Sequence, residues 1–173
     1  MQTLKWIGLV VLILGGLLAL VAGIGATLPV KHTATRSATL QASPQQVWDV
    51  ISGPPNWRPD VSRFEELPAR DGHRAWIEYG KAESKITYEV TESDPPRKLV
   101  TRIADANLPF GGTWTYEVAP TGDGGSTLTI TENGEIYNPI FRFLSRYVMG
   151  YNATMDRYLQ ALKNRFLSPS RQT

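Results

Sequence analysis

Three glutamates, Glu78, Glu132 and Glu135, are the candidate side chains for acid–base chemistry in this sequence. Each lies in or beside a segment of alternating residues, where every second side chain points into the interior. Burial raises the pKa of a carboxyl group, and a raised pKa lets the group act as a general base near neutral pH. Glu132 shares parity with Leu128 and Ile130, yet an exposed carboxylate at a rim remains the alternative for all three.

A larger set of aromatic residues predicts a different chemistry, the binding of an apolar molecule. Aromatic walls with a few hydroxyl groups that orient a ligand are typical of small-molecule pockets. The same residues would also fill a solid core, so the sequence leaves a lined cavity and a filled core open. The predicted cavity residues are Phe64, Trp76, Tyr88, Trp114, Tyr116, Tyr147, Tyr151 and Met155, with Tyr158 on the same helix.

Other kinds of site are poorly supported by the residue types available. The chain has no cysteine, which excludes disulfides, thiolate metal sites and cysteine nucleophiles. His32 lies in a linker and His73 in a turn, so neither a metal site nor a serine triad is predicted. Residues 122–125 are rich in glycine but lack the lysine and following helix of a phosphate-binding loop. We therefore expect no metal and no cofactor.

Charge is spread unevenly along a chain whose formal net charge is +2. Residues 31–137 carry 11 basic and 15 acidic side chains, whereas the residues after them carry six basic side chains against Asp156 alone. This basic region suits anionic lipid headgroups, or it is simply the solvated face of a helix. Nucleic acid is not an expected partner, because the basic residues are few and lack interleaved exposed aromatic residues.

The elements that would position these side chains are mostly strands. Alternating segments separated by turn signals predict an antiparallel meander with one polar and one apolar face, and Trp114, Tyr116 and Val118 fall on the apolar face. Ser43-Pro44-Gln45-Gln46 spells a capping box, which predicts a short helix that stops at Gly53. The predicted strands are residues 33–40, 61–67, 74–79, 84–92, 98–104, 113–118 and 126–132.

The strongest periodic pattern predicts one long helix over residues 139–166. Its apolar residues recur at steps of three and four, and arginines and a lysine occupy other positions. This helix is expected to lie across the apolar face of the sheet, since nothing else in the chain can cover that face. The apolar positions are Ile140, Leu144, Tyr147, Val148, Tyr151, Met155, Tyr158, Leu159, Leu162 and Phe166.

This order of elements resembles that of the START-like SRPBCC superfamily, in particular its polyketide cyclase/dehydrase and lipid-transport branch. The matching segments are residues 43–51, 94–99, 112–116 and 131–140, and the likeness extends over residues 33–166. It implies an α+β helix-grip fold, in which a curved antiparallel sheet of about seven strands wraps a long C-terminal helix. It also implies an apolar cavity for lipids, polyketides or other hydrophobic molecules. The second tryptophan expected soon after Trp57 is absent from this chain.

An N-terminal transmembrane helix is predicted ahead of this domain. Residues 7–28 are apolar and uncharged, and about 20 such residues are needed to cross the hydrocarbon core of a bilayer. Lys5 and Trp6 suit the headgroup region, and Pro29 stops the helix. A cleaved signal peptide is the alternative, although its apolar region normally runs to only about 7–15 residues.

Three further expectations follow for the anchor and the domain boundaries. The short N-terminal tail favours an extracytoplasmic location for the domain, with a single pass through the membrane. Gly15, Ala19 and Gly23 form a ridge of small residues, which suggests a homodimer. We assign residues 1–29 to the anchor, 30–168 to the START-like domain and 169–173 to a flexible tail.

The sequence therefore favours membrane-anchored binding of a hydrophobic small molecule or lipid in an internal cavity, with transfer between membranes or partners as an extension. One alternative is an enzyme of the cyclase, dehydratase or hydrolase type that acts on a hydrophobic substrate. Another is an interaction module with a filled core. The residues lean towards binding without catalysis but leave all three functions open, because one fold hosts many functions.

Overall fold

One antiparallel sheet of seven strands forms the body of the computed structural model, which describes residues 2–70, 72–81 and 84–167. The strand order is β1-β7-β6-β5-β4-β3-β2, so β1 is an edge strand and its neighbour is the last strand, β7. The predicted α+β class and the strand number are confirmed, and the predicted tail at 169–173 lies outside the described residues. The strands are β1 (Lys31–Leu40), β2 (Arg63–Arg70), β3 (His73–Tyr79), β4 (Lys85–Asp94), β5 (Lys98–Ile103), β6 (Phe110–Pro120) and β7 (Ser126–Ile136).

The register gives this sheet one apolar and one polar face, as the alternation predicts. On the inner face, Tyr116 of β6 pairs with Leu99 of β5 and Ile130 of β7. On the outer face, Ser37 of β1 and Thr129 of β7 share a hydrogen bond of 2.9 Å between their hydroxyl groups. The inner face must therefore be covered, whereas the outer face faces water.

Strand β6 begins earlier than predicted, because part of the turn signal at residues 108–112 belongs to it. Gly112 has a φ of 123°, a conformation that glycine adopts readily. A Cβ atom at this position would lie 2.3 Å from the backbone oxygen of Asn133 in β7. Glycine thus lets β6 and β7 pair closely where another residue would separate them.

The predicted capping box is confirmed at the start of helix α2 (Pro44–Ile51). The Ser43 hydroxyl accepts a hydrogen bond from the backbone N–H of Gln46, and the Gln46 side chain accepts one from the backbone N–H of Ser43. Two backbone donors are satisfied in this way at the helix start. The helix then buries Val47 and Trp48 against the inner face.

The C-terminal helix is broken, so the prediction of one continuous helix over residues 139–166 is wrong. Helix α3 (Pro139–Leu144) continues into a π-helical turn (Ser145–Met149), and helix α4 (Ala153–Leu167) follows after a break. Gly150 has a φ of 74° and a ψ of 152° between them, a conformation open mainly to glycine. The apolar spacing continues through this break, and for this reason the pattern alone suggests a single helix.

Helix α4 covers the inner face of the sheet. Met155, Leu159 and Leu162 are buried on its sheet side. At about 1.5 Å per residue its 15 residues extend over roughly 22 Å, about half the length of the predicted helix. The inner face is correspondingly less covered, and Trp114 and Tyr88 remain only partly buried.

Helix α1 (Gln2–Thr27) precedes the sheet. Among the described residues it is the one helix long and apolar enough to cross a membrane, over Lys5–Thr27, and its most apolar window has no buried residue. A signal sequence passes the same test of length and composition. Gly15 and Gly23 have no atom within 4 Å of where a Cβ would lie, and the predicted homodimer stays a prediction.

Candidate functional site

A buried carboxylate lies on the inner face of the sheet at Glu78. This residue of β3 pairs with Phe64 of β2 and Ile86 of β4, and only 9% of it is exposed. Arg58 Nη1 donates to one carboxylate oxygen at 2.8 Å, and Trp76 Nε1 donates to the other at 3.1 Å. Both oxygens of Glu78 are therefore engaged, which suits a fixed polar anchor better than a free general base.

Arg58 reaches this carboxylate from the loop of residues 53–60, which connects α2 to β2. Its Nη2 also donates to the exposed carboxylate of Asp60 at 2.6 Å. Burial by itself would lower the pKa of Arg58, but the bond to Asp60 and the charge of Glu78 outweigh it and raise the pKa. For Asp60, burial by itself would raise the pKa, but the hydrogen bond from Arg58 and its positive charge outweigh burial and lower the pKa. The guanidinium group thus holds the loop against the sheet.

Three tyrosines of the interior surround this ion pair: Tyr88 is partly buried, and Tyr116 and Tyr158 are buried. Burial is the main cause that raises the pKa values of Tyr88, Tyr116 and Tyr158. The charge of Glu78 adds to each rise and that of Arg58 opposes it. All three side chains therefore keep their hydroxyl protons at physiological pH and can both donate and accept hydrogen bonds.

A small cavity lies among these groups, under the 53–60 loop. Its volume is about 30 Å³, enough for about one water molecule. Ligand pockets generally measure about 300–1,000 Å³, so a lipid or polyketide does not fit unless the surrounding residues move. The Nε1 donor of Trp57 is buried and has no acceptor among the residues that the structure describes. The lining residues are Val50, Ile51, Gly53, Pro55, Trp57, Arg58, Trp76, Glu78, Thr101, Tyr116 and Tyr158.

A second polar pair lies at the opposite edge of the inner face. His32 Nε2 of β1 is 3.8 Å from Glu132 Oε1 of β7, and the two side chains are 11% and 21% exposed. The ring of Tyr151, which precedes α4, stacks on His32 with 4.1 Å between centroids. Burial lowers the pKa of His32 and raises that of Glu132, although a hydrogen bond from Trp114 partly offsets the second rise. Both groups are thereby shifted towards their neutral forms.

Two predicted site residues lie outside the interior. Glu135 occupies an outer-face position of β7, where it forms an ion pair of 3.6 Å with Lys31 and accepts a hydrogen bond from Tyr137. Tyr147 is 60% exposed and contacts Phe143, because it lies before the break in the C-terminal helix. The other predicted residues face the interior or its edge: Phe64, Trp76, Glu78, Tyr88, Trp114, Tyr116, Glu132, Tyr151 and Met155.

The predicted linker position of His32 is wrong, because β1 begins at Lys31 and the alternation then turns His32 to the inner face. For Arg58 the sequence predicts a loop position and no role in a site. Its signal is weak: a tryptophan and an arginine side by side between Pro55 and Pro59.

A larger depression of about 490 Å³ lies at the strand positions around Gly111 and Gly112. Its lining is polar and carries both signs of charge, with Arg102 and Lys31 against Glu135. It is therefore unlike the apolar cavity that the sequence predicts. The lining residues are Lys31, His32, Thr33, Arg102, Ile103, Asp105, Gly111, Gly112, Thr113, Asn133, Gly134, Glu135 and Tyr137.

Metal binding has no support in the described part of the chain. Residues 2–70, 72–81 and 84–167 contain no group of three or more histidine, aspartate or glutamate side chains placed to hold a metal ion. The carboxylates of Glu78 and Glu132 lie beside Arg58 and His32, respectively, instead.

Comparisons with known proteins agree with this geometry. The model of the family described as polyketide cyclase / dehydrase and lipid transport matches residues 31–166. Similar solved structures include a START superfamily protein from Mycobacterium smegmatis (15% identity, 79% of this chain and 97% of that chain, TM-score 0.63). Norcoclaurine synthase from Thalictrum flavum is also similar (13% identity, 81% of this chain and 88% of that chain, TM-score 0.62). So is a protein from Thermobifida fusca (22% identity, 78% of this chain and 92% of that chain, TM-score 0.60). No curated protein matches the chain. These likenesses establish the fold and leave the ligand open.

The raised pKa of Glu132 predicts a pH dependence of stability. The folded chain favours the neutral carboxyl group, so the free energy of unfolding falls as the pH rises from the ordinary value of 4.5 through the raised pKa. Glu132→Gln removes this ionisation. We expect the variant to match the parent chain below that window and to be more stable above it, in thermal unfolding measured at a series of pH values.

Glu117→Gln is the matched control, because Glu117 is exposed on the outer face of β6. It should leave the pH profile of the parent chain unchanged. A Glu132→Gln chain that is less stable than the parent at neutral pH would contradict the argument. That result would mean that the ionised carboxylate is stabilised by a charged His32.

Proposed function

Because the chain belongs to the polyketide cyclase / dehydrase and lipid transport family, we propose that it binds a hydrophobic small molecule between the inner face of its sheet and α4. The observation that carries this proposal is the polar group of side chains buried in an otherwise aromatic interior. Arg58 and Glu78 form an ion pair there, and Trp57 offers a donor without an acceptor. The ligand that fits is mostly apolar and carries at least one hydrogen-bonding group.

A core that served stability alone would not need these groups. Replacement of a buried ion pair by apolar residues of similar volume is often neutral or stabilises a protein by about 1–4 kcal/mol. A buried donor without an acceptor costs about 1–3 kcal/mol. Trp57 and the Arg58–Glu78 pair are therefore better explained by a bound molecule than by packing.

Entry of such a molecule requires the 53–60 loop to move, since the cavity now holds about 30 Å³. The contacts that hold the loop closed include the bond from Arg58 to Glu78 and the edge of Trp57 against Tyr158 at 5.1 Å between ring centroids. Both contacts can open without unfolding a strand or a helix. The ligand would then occupy the space that Trp57 and Arg58 vacate.

Removal of one cavity hydroxyl tests the proposal. Tyr116→Phe keeps the ring and deletes a polar group that lines the cavity. We expect the full chain in lipid nanodiscs to take up the fluorescent fatty acid cis-parinaric acid, and Tyr116→Phe to weaken uptake by about tenfold, which corresponds to about 1.4 kcal/mol for one hydrogen bond. Fluorescence titration measures the affinity, and native mass spectrometry identifies any molecule that copurifies.

The matched control is Tyr79→Phe, because Tyr79 donates its hydroxyl to exposed Glu65. This variant should bind as the parent chain does. The proposal is wrong if neither cis-parinaric acid nor a copurifying apolar molecule is found with the parent chain. In that case the filled core of the interaction-module alternative becomes the better explanation.

We further propose that α1 anchors this domain to a membrane on its extracytoplasmic side. The exposure of the apolar window of α1 supports a lipid environment, since a core helix would be buried. A C-terminal alkaline phosphatase fusion should be active and membrane-bound after high-salt washing. An inactive fusion would reverse the orientation, and a released one would indicate cleavage of α1.

An enzymatic function is the second candidate, and the His32–Glu132 pair favours it. A carboxyl group with a raised pKa can act as a general base beside a substrate on the inner face. We expect a lipid extract incubated with the full chain to show a mass change that is absent with Glu132→Gln and present with Glu117→Gln. An extract unchanged by the parent chain would leave binding as the function of the inner face.

A further inference from the structure

A group of exposed apolar side chains lies before the break in the C-terminal helix. Phe141 is 47% exposed, Val148 68% and Met149 53%, and Tyr147 adds an aromatic ring. These four residues, here called the α3 platform, lie on α3 and the π-helical turn. They are the first part of the apolar pattern that the sequence assigns to one long helix over the sheet.

Helix α3 is fixed beside the last two turns of α1. Gly25 is buried there, and a Cβ at this position would lie 1.9 Å from the backbone oxygen of Pro139, so only glycine permits this approach. Val21, four residues before Gly25 on the same helix face, is partly covered, as is Leu28 just after the end of the helix. The two helices are thus in direct contact.

Arg142 also connects α3 to the end of α1, and this contact region is here called the α1–α3 joint. Arg142 Nη1 donates to the backbone oxygen of Leu28 at 2.7 Å, just past the C-terminal end of α1 where carbonyl groups lack helical partners. The residue is only 9% exposed, and no carboxylate of the described residues lies within salt-bridge distance. The position of α3 relative to α1 is therefore set by backbone contact and a buried hydrogen bond together.

This joint determines the depth of the platform if α1 spans a bilayer. Gly25 lies two residues before the end of α1 at Thr27, which is about 3 Å along the helix. Helices that lie in a membrane interface bury their apolar face by about 5–10 Å. Contact at Gly25 and Leu28 therefore holds the start of α3 at the boundary between headgroups and acyl chains.

The charges of this region suit the same environment. The sequence from residue 138 to residue 155 contains no acidic residue and two arginines, Arg142 and Arg146. Arg146 is exposed in the π-helical turn and can reach lipid phosphates. Apolar side chains with neighbouring basic groups and no acidic ones are the composition of an interfacial membrane element.

We propose that the α3 platform is embedded in the same membrane leaflet that receives the C-terminal end of α1. This inference rests on the proposed membrane anchor. Gly150 then marks the point where the chain leaves the lipid, and Tyr151 stacks on His32 directly after it. The edge of the inner face at His32 and Glu132 therefore opens next to the bilayer, where apolar ligands concentrate.

Site-specific fluorescence tests this proposal, and the absence of cysteine from the chain makes single labels simple. Val148→Cys and Met149→Cys, labelled with the polarity-sensitive dye NBD, are placed in the full chain in nanodiscs of phosphatidylcholine and phosphatidylglycerol. Lipids brominated near the headgroups serve as quenchers. Leu20→Cys on the exposed face of α1 is the membrane control, and Lys163→Cys on the exposed face of α4 is the aqueous control.

We expect labels at Val148 and Met149 to show blue-shifted emission and bromolipid quenching like that at Leu20, with neither effect at Lys163. If the label at Leu20 is quenched and those at Val148 and Met149 are not, the platform faces water or protein and the inference is wrong, while the anchor stands. If Leu20 is not quenched, α1 does not span the bilayer, and the anchor and the platform proposals both fail.

Discussion

Coverage of the inner face of one sheet is the constraint on which the rest of this structure depends. Seven antiparallel strands present a continuous row of large apolar side chains on that face, and exposed apolar area of this size is unfavourable in water. Helices α2 and α4 and the 53–60 loop cover it, and α4 has 15 residues. The loop therefore becomes part of the interior, and it brings Arg58 with it.

This use of a loop explains why charge occurs inside an aromatic core. A loop cannot bury its polar groups without partners, because each unpaired group costs free energy. Arg58 finds one partner inside, Glu78, and one outside, Asp60, so a single side chain connects interior and solvent. The loop is thus held against the sheet by a polar contact, Arg58 with Glu78, as well as by the aromatic contact of Trp57 with Tyr158.

The sequence predicts those features of the fold that depend on local patterns. The capping box at Ser43 and the alternation of Trp114, Tyr116 and Val118 each involve neighbours in the chain, and both are confirmed. Parity also allowed an interior position for Glu132, beside Leu128 and Ile130. The alternation left the direction of the Glu135 side chain open, and the structure places it on the outer face in an ion pair with Lys31.

The contacts that join distant segments could not be predicted in this way. Arg58 and Glu78 are separated by a loop and two strands, and nothing in the sequence around either residue indicates the other. His32 and Glu132 become neighbours only because β1 pairs with β7, which depends on closure of the sheet order. Both pairs of residues come together only in the tertiary structure, and they supply the polar groups of both candidate sites.

The broken C-terminal helix shows why one hydrophobic pattern can serve two surroundings. Residues at steps of three and four before Gly150 are apolar, as are those after it, because both helices need an apolar stripe. After the break, Met155 and Leu162 face the sheet and are fully buried; before it, Val148 and Met149 remain exposed beside α1. The periodic pattern indicates that one side of each helix is apolar, but it does not indicate what surrounds that side. Gly150, with a φ of 74°, is the position at which the exposed and the buried part of the stripe separate.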